Sequence, residues 1–233
     1  MSVLEIKDLC KRFGAVKALD GLTLSADREV FGLIGPNGAG KSTALAILMG
    51  LLRADEGLAC VAGFNVRDHP LEVKRRTGFL PEDPFFYDDL TGEETLRFAA
   101  SAHGLRWEKN PFLQEWIETL EMNNNLRRLV GHYSHGMRQK LALLLTLLHD
   151  PPLLLWDEPY VGLDYPSQEK VKRLLAALKE RGGTVVISTH VLPLVQAAAD
   201  RVGFILAGSL HWIGPASAGL ADLFGDTPGL IRE

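Results

Sequence analysis

The sequence predicts an α/β fold with a mostly parallel sheet, an antiparallel β part at the start and an inserted helical part in the middle. Two observations predict the sheet. A short apolar run, 30–34, ends in a glycine-rich loop, and helical spacing follows over 43–52. Two more apolar runs, 153–156 and 184–188, flank a helical stretch at 168–181. Strand, helix, strand at that spacing implies parallel pairing. A third observation predicts the insertion: helical pattern dominates between about 91 and 149.

In chain order, residues 3–9 and 18–24 are apolar runs around the turn signal Phe13-Gly14, which reads as antiparallel strands. Thr91 with Glu94 three residues later forms a capping box. Asn110 followed by Pro111 marks a second helix start. Leu113, Trp116, Ile117 and Leu120 then make one apolar face, and Leu141, Leu144, Leu145 and Leu148 repeat the spacing. These stripes read as core. From Gly208 onward glycines and prolines recur, and turns are expected.

The 233 residues are 46% hydrophobic and 23% charged, enough to bury a core. Length alone permits one large domain or two small ones. A net charge of -4 argues against nucleic acid as a partner. Cys10 and Cys60 are in no metal spacing and read as small buried hydrophobes, which suits a reducing cytosol. The first residues lack a basic-then-apolar leader pattern. The most apolar stretch, 141–156, is broken by His149, Asp150, Pro151 and Pro152, and each half falls short of the ~20 residues of a membrane span. A chain serving transport would therefore need a second chain to supply the channel.

Gly35-Pro36-Asn37-Gly38-Ala39-Gly40-Lys41-Ser42 matches the phosphate-binding pattern G-x-x-x-x-G-K-[ST]. Glycines let the backbone curl so that successive N–H groups converge on phosphate oxygens. The following helix presents its positive end to the same anion. Lys41 would reach the terminal phosphates, and Ser42 would offer a hydroxyl to Mg²⁺. A chance match in a chain this long is on the order of one in a hundred. A glycine-rich turn with a surface lysine is the competing reading, and the strand–loop–helix context argues against it.

Residues 153–158, Leu-Leu-Leu-Trp-Asp-Glu, form an apolar run that ends in two acids. Charge is costly inside a core, so Asp157 and Glu158 belong at the strand's carboxyl end, where parallel sheets bind ligands. Asp157 would hold the Mg²⁺ shell, and Glu158 would orient or deprotonate the attacking water. His190 follows the run at 185–189. Alone it reads as a satisfied structural residue; on the same edge as Asp157 it could report a γ-phosphate. No Asn-Lys-x-Asp guanine motif occurs.

Tyr133-Ser134-His135-Gly136-Met137-Arg138-Gln139-Lys140 resembles the ABC signature, usually Leu-Ser-Gly-Gly-Gln, and more closely the Tyr-Ser-x-Gly-Met form of the ABC-2-type exporter ATPases. The resemblance covers nearly the whole chain in the family's order. Phe13 falls at the adenine-stacking aromatic, Gly35–Thr43 at the phosphate loop, and 78–82 at the Q-loop region. Residues 153–158 match the Walker B strand, Gly162-Leu163-Asp164 the D-loop, and His190 the switch histidine. What the resemblance implies is a P-loop NTPase core over 1–87 and 149–233, with the helical signature subdomain at 88–148.

It also implies ATP and Mg²⁺ as cofactors and a head-to-tail dimer, and the presence of both half-sites in this chain favours a homodimer. Ser134 and the backbone of His135 and Gly136 would meet the γ-phosphate from across that interface, with Asp164 beside it. Glu82, with Ser42 and Asp157, would lie near the metal. A separate integral membrane permease would turn closing and opening into outward substrate movement, which puts the chain peripherally on the cytoplasmic face of the membrane. Three positions depart from the commonest pattern: His135 for glycine, Met137 for glutamine and Glu82 for the Q-loop glutamine. The last two are marks of the exporter subfamily. Phe13 reads as hairpin core on its own and as a stacking residue in this context. Phe85, Phe86 and Tyr87 read equally as core packing or as an aromatic surface for the permease. A non-transport ABC switch on ribosome or DNA lacks its usual second ATP-binding half or coiled-coil insertion here, and a small-molecule kinase is opposed by the signature.

Overall fold

The computed structural model describes residues 2–220, 224 and 227–229. The expected core range continues to 233, and its residues 221–223, 225–226 and 230–233 lie outside the described residues. The elements are β1 (Leu4–Phe13), β2 (Val16–Ala26), β3 (Val30–Ile34), α1 (Lys41–Leu48), β4 (Glu56–Val61), β5 (Phe64–Asn65), α2 (Pro70–Arg75) and β6 (Thr77–Leu80). There follow α3 (Gly92–Ala102), α4 (Pro111–Thr119), α5 (His135–Thr146), β7 (Leu153–Asp157), α6 (Tyr165–Glu180), β8 (Thr184–Thr189), α7 (Leu192–Ala198), β9 (Arg201–Leu206) and β10 (Ser209–Pro215).

Two sheets form. One is antiparallel, in the order β2-β1-β4-β5; the other has the order β10-β9-β3-β8-β7-β6 and is parallel except for β10. Every residue of β3, β7 and β8 is buried, because both faces of the large sheet are covered. Side chains alternate between those faces. Val30, Ile34, Leu154, Trp156, Val185 and Ile187 pack with the helices that follow β6. Phe31, Leu33, Leu153, Leu155 and Val186 pack with α1 and the antiparallel sheet.

The helical pattern after residue 91 resolves into α3, α4 and α5. The Thr91–Glu94 capping box is made in both directions. The Asn110 side chain accepts from Leu113 N and donates to the carbonyls of Leu147 and Leu148, so one residue starts α4 and ties it to the end of α5. Two expectations need correction. The region after Gly208 is not only turns: β10 pairs with β9 in a hairpin and forms one edge of the large sheet. Its glycine and proline fall where an edge strand tolerates them. Cys10 and Cys60 are free thiols only partly buried, not core residues.

The imidazoles of His103, after α3, and His149, after α5, stack with centroids 4.1 Å apart and planes at 12°. Among the described residues neither His149 nitrogen has a hydrogen-bond partner. Burial, with repulsion from His103 second, pulls His149 down from 6.5 to about 4. Unfolded His149 takes up its proton near 6.5, and the folded residue does so only near 4. The unfolded chain therefore binds more protons in that window, and stability falls as pH drops through it. The His149→Phe variant should show a shallower fall of urea midpoint between those pH values than the wild type. An equal slope would contradict the burial argument.

Candidate active site

The ends of β3, β6, β7 and β8 converge at the carboxyl edge of the large sheet. The phosphate loop leaves β3 and enters α1. Gly40 is the N-cap of α1 with φ of +108°, and a Cβ there would lie 2.4 Å from the Ala18 carbonyl oxygen. Only glycine fits both demands. Gly208 N–H donates to Ala39 O at 3.0 Å, and Asp20 N–H donates to Gly208 O at 2.9 Å. These bonds pin the loop between β2 and the β9–β10 turn. The first turn of α1 has neither a side-chain cap nor an acidic residue. Its N–H groups are therefore suited to an anionic ligand.

Lys41 is buried, and its ammonium donates to the carbonyls of Gly35 at 2.7 Å and Pro36 at 3.1 Å. Burial lowers its affinity for the proton below the usual lysine range, while the charges of Glu158, Asp157 and Glu82 oppose that shift. These three carboxylates, expected from the sequence to share a site, thus all act on the phosphate-loop lysine. Glu82 follows β6 and is exposed, as is Ser42 at the start of α1.

Strand parity sets the carboxylate pair. Asp157 shares the α1 face with Leu153 and Leu155. Its register partner is Ser188, whose hydroxyl donates to Asp157 Oδ1. Glu158 steps out of the strand with φ of +48°, a conformation that costs a non-glycine residue about 1–2 kcal/mol. Several donors hold it there. Thr189 Oγ1 donates to Oε2 at 2.7 Å, and His190 N–H donates to Oε1 at 3.1 Å. His190 Nδ1 lies 2.6 Å from the same oxygen. With the carboxylate as acceptor, Nδ1 is the protonated nitrogen. Both acids are buried, Glu158 6% and Asp157 4% exposed, so these partners are needed to keep polar oxygens satisfied.

Other expected residues lie apart. Phe13 sits at the β1–β2 turn, half exposed, with the Lys11 ammonium 5.5 Å from its ring; the hairpin-core reading does not hold. Ser134 caps α5 by accepting from Met137 N–H, which leaves its own O–H free to donate. The neighbours of His135 and Gly136 include Gly162 of the loop after Glu158. Met137 packs against the helical core, an apolar task that a glutamine would perform poorly. Asp164 caps α6 by accepting from Ser167 N–H, and its hydrogen bonding with Ser167 holds it below the usual carboxylate range.

Phe86 is buried, whereas Phe85 and Tyr87 are exposed and stack edge to face at 5.7 Å. Tyr87 meets exposed Phe98 of α3 in the same way at 6.1 Å. Sequence reasoning missed Phe98, a large apolar residue off the buried face of its helix. It also missed Ser188 and Thr189, although two hydroxyls closing an apolar run were a readable signal. Gln139 was missed too: fully buried, it donates from Nε2 to Glu158 O at 3.5 Å.

The ABC transporter family pattern matches residues 19–161. The chain belongs to the ABC transporter family. It is similar to the bacitracin transport ATP-binding protein of Bacillus licheniformis, with 36% identity over 90% of this chain and 68% of that one. It is similar to the ABC transporter ATP-binding protein NatA of Bacillus subtilis, with 35% identity over 91% and 89%. A solved ATP-binding subunit of an ABC transporter superposes with a TM-score of 0.87 at 31% identity, covering 96% of this chain and 94% of that one. This ABC cassette is thus an ATP-binding ATPase subunit with the P-loop NTPase fold.

The Thr189 hydroxyl in the ABC cassette serves two partners, the buried Glu158 carboxylate and the half-buried Val191 N–H, from which it accepts. Thr189→Val keeps the shape and strands both. The substitution should cost about 1–3 kcal/mol in urea unfolding; an unchanged midpoint would show that water replaces the hydroxyl without loss.

Proposed function

We propose that this cassette hydrolyses ATP with Glu158 as the base for the attacking water and drives outward transport through a separate membrane permease. The observation that carries the reading is the buried Glu158, braced by Thr189 and His190 on the sheet edge that also bears the phosphate loop. A carboxylate held in one orientation can take a proton from water aligned with the γ-phosphate. Lys41 would exchange its loop carbonyls for phosphate oxygens, and Phe13 would stack on adenine. His190 would face the γ-phosphate while its Nδ1 stays on Glu158.

The donor chemistry fits Mg²⁺. Ser42 and Asp157 supply hard oxygen ligands, with Glu82 close enough to act on the same lysine. Among the described residues no cluster of three His, Cys, Asp or Glu side chains could hold a metal alone. That suits an ion whose remaining ligands are phosphates and water. Bound there, it would neutralise charge on the phosphates.

Ser134 and the backbone of His135 and Gly136, at the N-terminus of α5, would close on the nucleotide of a partner copy in a head-to-tail homodimer, with Asp164 near that interface. We divide the chain into an ATP-binding core, 1–87 and 149–233, and a helical signature segment, 88–148. Phe85, Tyr87 and Phe98 would receive the permease, which would keep the cassette on the cytoplasmic face of the membrane. No described helix is long and apolar enough to cross a bilayer itself. The Tyr-Ser-x-Gly-Met signature and the resistance or export names of relatives support the outward direction. The charge of -4 argues against nucleic acid.

Glu158→Gln should bind ATP with near-normal affinity and lose about 10²–10⁴-fold in turnover; full turnover would remove Glu158 from the base role. Lys41→Ala should lose ATP affinity in equilibrium binding. Replacing Phe85, Tyr87 and Phe98 together by Ala should leave ATP binding intact and abolish co-purification, in mild detergent, of a protein with several membrane spans. Retention of that protein would move the docking surface elsewhere.

A further inference from the structure

The unusual residue of the signature lies against the loop that leaves Glu158. His135 is the first residue of α5. A Cβ on Gly162 would lie 1.8 Å from His135 Cδ2 and 2.5 Å from Nε2, so the imidazole fills the space above that glycine. Gly162 has φ of +75°. The next residue on the helix closes the other side, since a Cβ on Gly136 would lie 2.9 Å from Gly162 O. One turn further along, on the same helix face, Gln139 donates to Glu158 O. The first two turns of α5 therefore grip the loop at two points, Gly162 through His135 and Glu158 through Gln139.

Between those points the loop is stiff. Val161 N–H donates to Glu158 O at 3.1 Å, and Leu163 N–H donates to Tyr160 O at 3.2 Å. Tyr160 and Leu163 are both buried in the helical core, and Asp164 is fixed as the cap of α6. Val161, Gly162 and Asp164 are exposed, so a displacement is carried along the loop by the buried Tyr160 and Leu163 and by these two hydrogen bonds.

We propose that His135 is a positioning residue that makes the signature turn and the Glu158 loop move as one body. Contact of a phosphate with Ser134 and Gly136 then sets the orientation of Glu158 in the same chain. The idea rests on the reading of Glu158 as the hydrolytic base. It assigns the His135 side chain a packing task, not a contact with ATP. A glycine at this position would leave Gly162 uncovered and the two segments coupled only through Gln139.

The test is steady-state ATP hydrolysis by the full chain, with ATP affinity and thermal melting measured alongside. His135→Gly should lower kcat about tenfold, in the range expected for slight misplacement of a reacting group, with KM for ATP changed less than twofold. His135→Phe keeps a ring over Gly162 and should retain most of the wild-type kcat. Gly162→Ala should lose more than His135→Gly, and the double variant His135→Gly with Gly162→Ala should recover part of that loss, because the clash is gone. An unchanged kcat in His135→Gly overturns the proposal. So does a raised KM at constant kcat, which marks direct binding, or an equal loss in His135→Phe. If Gly162→Ala does not fold, the two His135 variants decide alone. Glu158→Gln separates the layers: full hydrolysis in that variant refutes the reading of Glu158 as the base itself. Its loss together with a normal His135→Gly refutes only the role of His135.

Discussion

Both faces of β3, β7 and β8 are buried, and no side chain along these strands can carry an unpaired charge without a large penalty. Polar function is thereby pushed to the carboxyl ends, where the chain leaves the sheet. Lys41, Asp157, Glu158, Ser188, Thr189 and His190 all follow from this one constraint. The strand periodicity then sorts them. Asp157 and Ser188 share the α1 face, and the left-handed turn at Glu158 breaks the alternation and brings its carboxylate to Thr189 and His190.

The site is held together by groups that would each be costly alone. A buried ammonium, two buried carboxylates and a strained backbone residue are tolerated because each satisfies another or is satisfied by a hydroxyl or backbone group. Glu158 is bound through its backbone N–H, its carbonyl and both carboxylate oxygens. Its carboxylate is braced by the surrounding fold, the preorganisation that electrostatic catalysis requires.

Much of this was legible in the sequence because motifs with strict backbone demands leave strict residue patterns. The phosphate loop needs glycine at Gly40, and the apolar run before Asp157 announces a buried strand. The caps at Thr91 and Asn110 were legible for the same reason. What escaped were contacts between segments distant in sequence. Ser188 meets Asp157 across a strand pair, Gln139 reaches Glu158 from α5, and Phe98 joins Tyr87 from α3. None of these has a local signature. β4 escaped because its first three residues are exposed, and β10 because an edge strand with glycine and proline resembles a loop.

The two margins of the large sheet have a further consequence. On one side β6 is only four residues long, and α5 lies so close that a Cβ on Gly78 would strike the Thr146 carbonyl at 2.4 Å. On the other side β10 carries a bulge between Leu210 and Trp212 and ends in Gly214-Pro215. Short, covered, irregular or proline-ended margins resist the addition of further strands. The large sheet is thus closed to growth by strand addition at either margin.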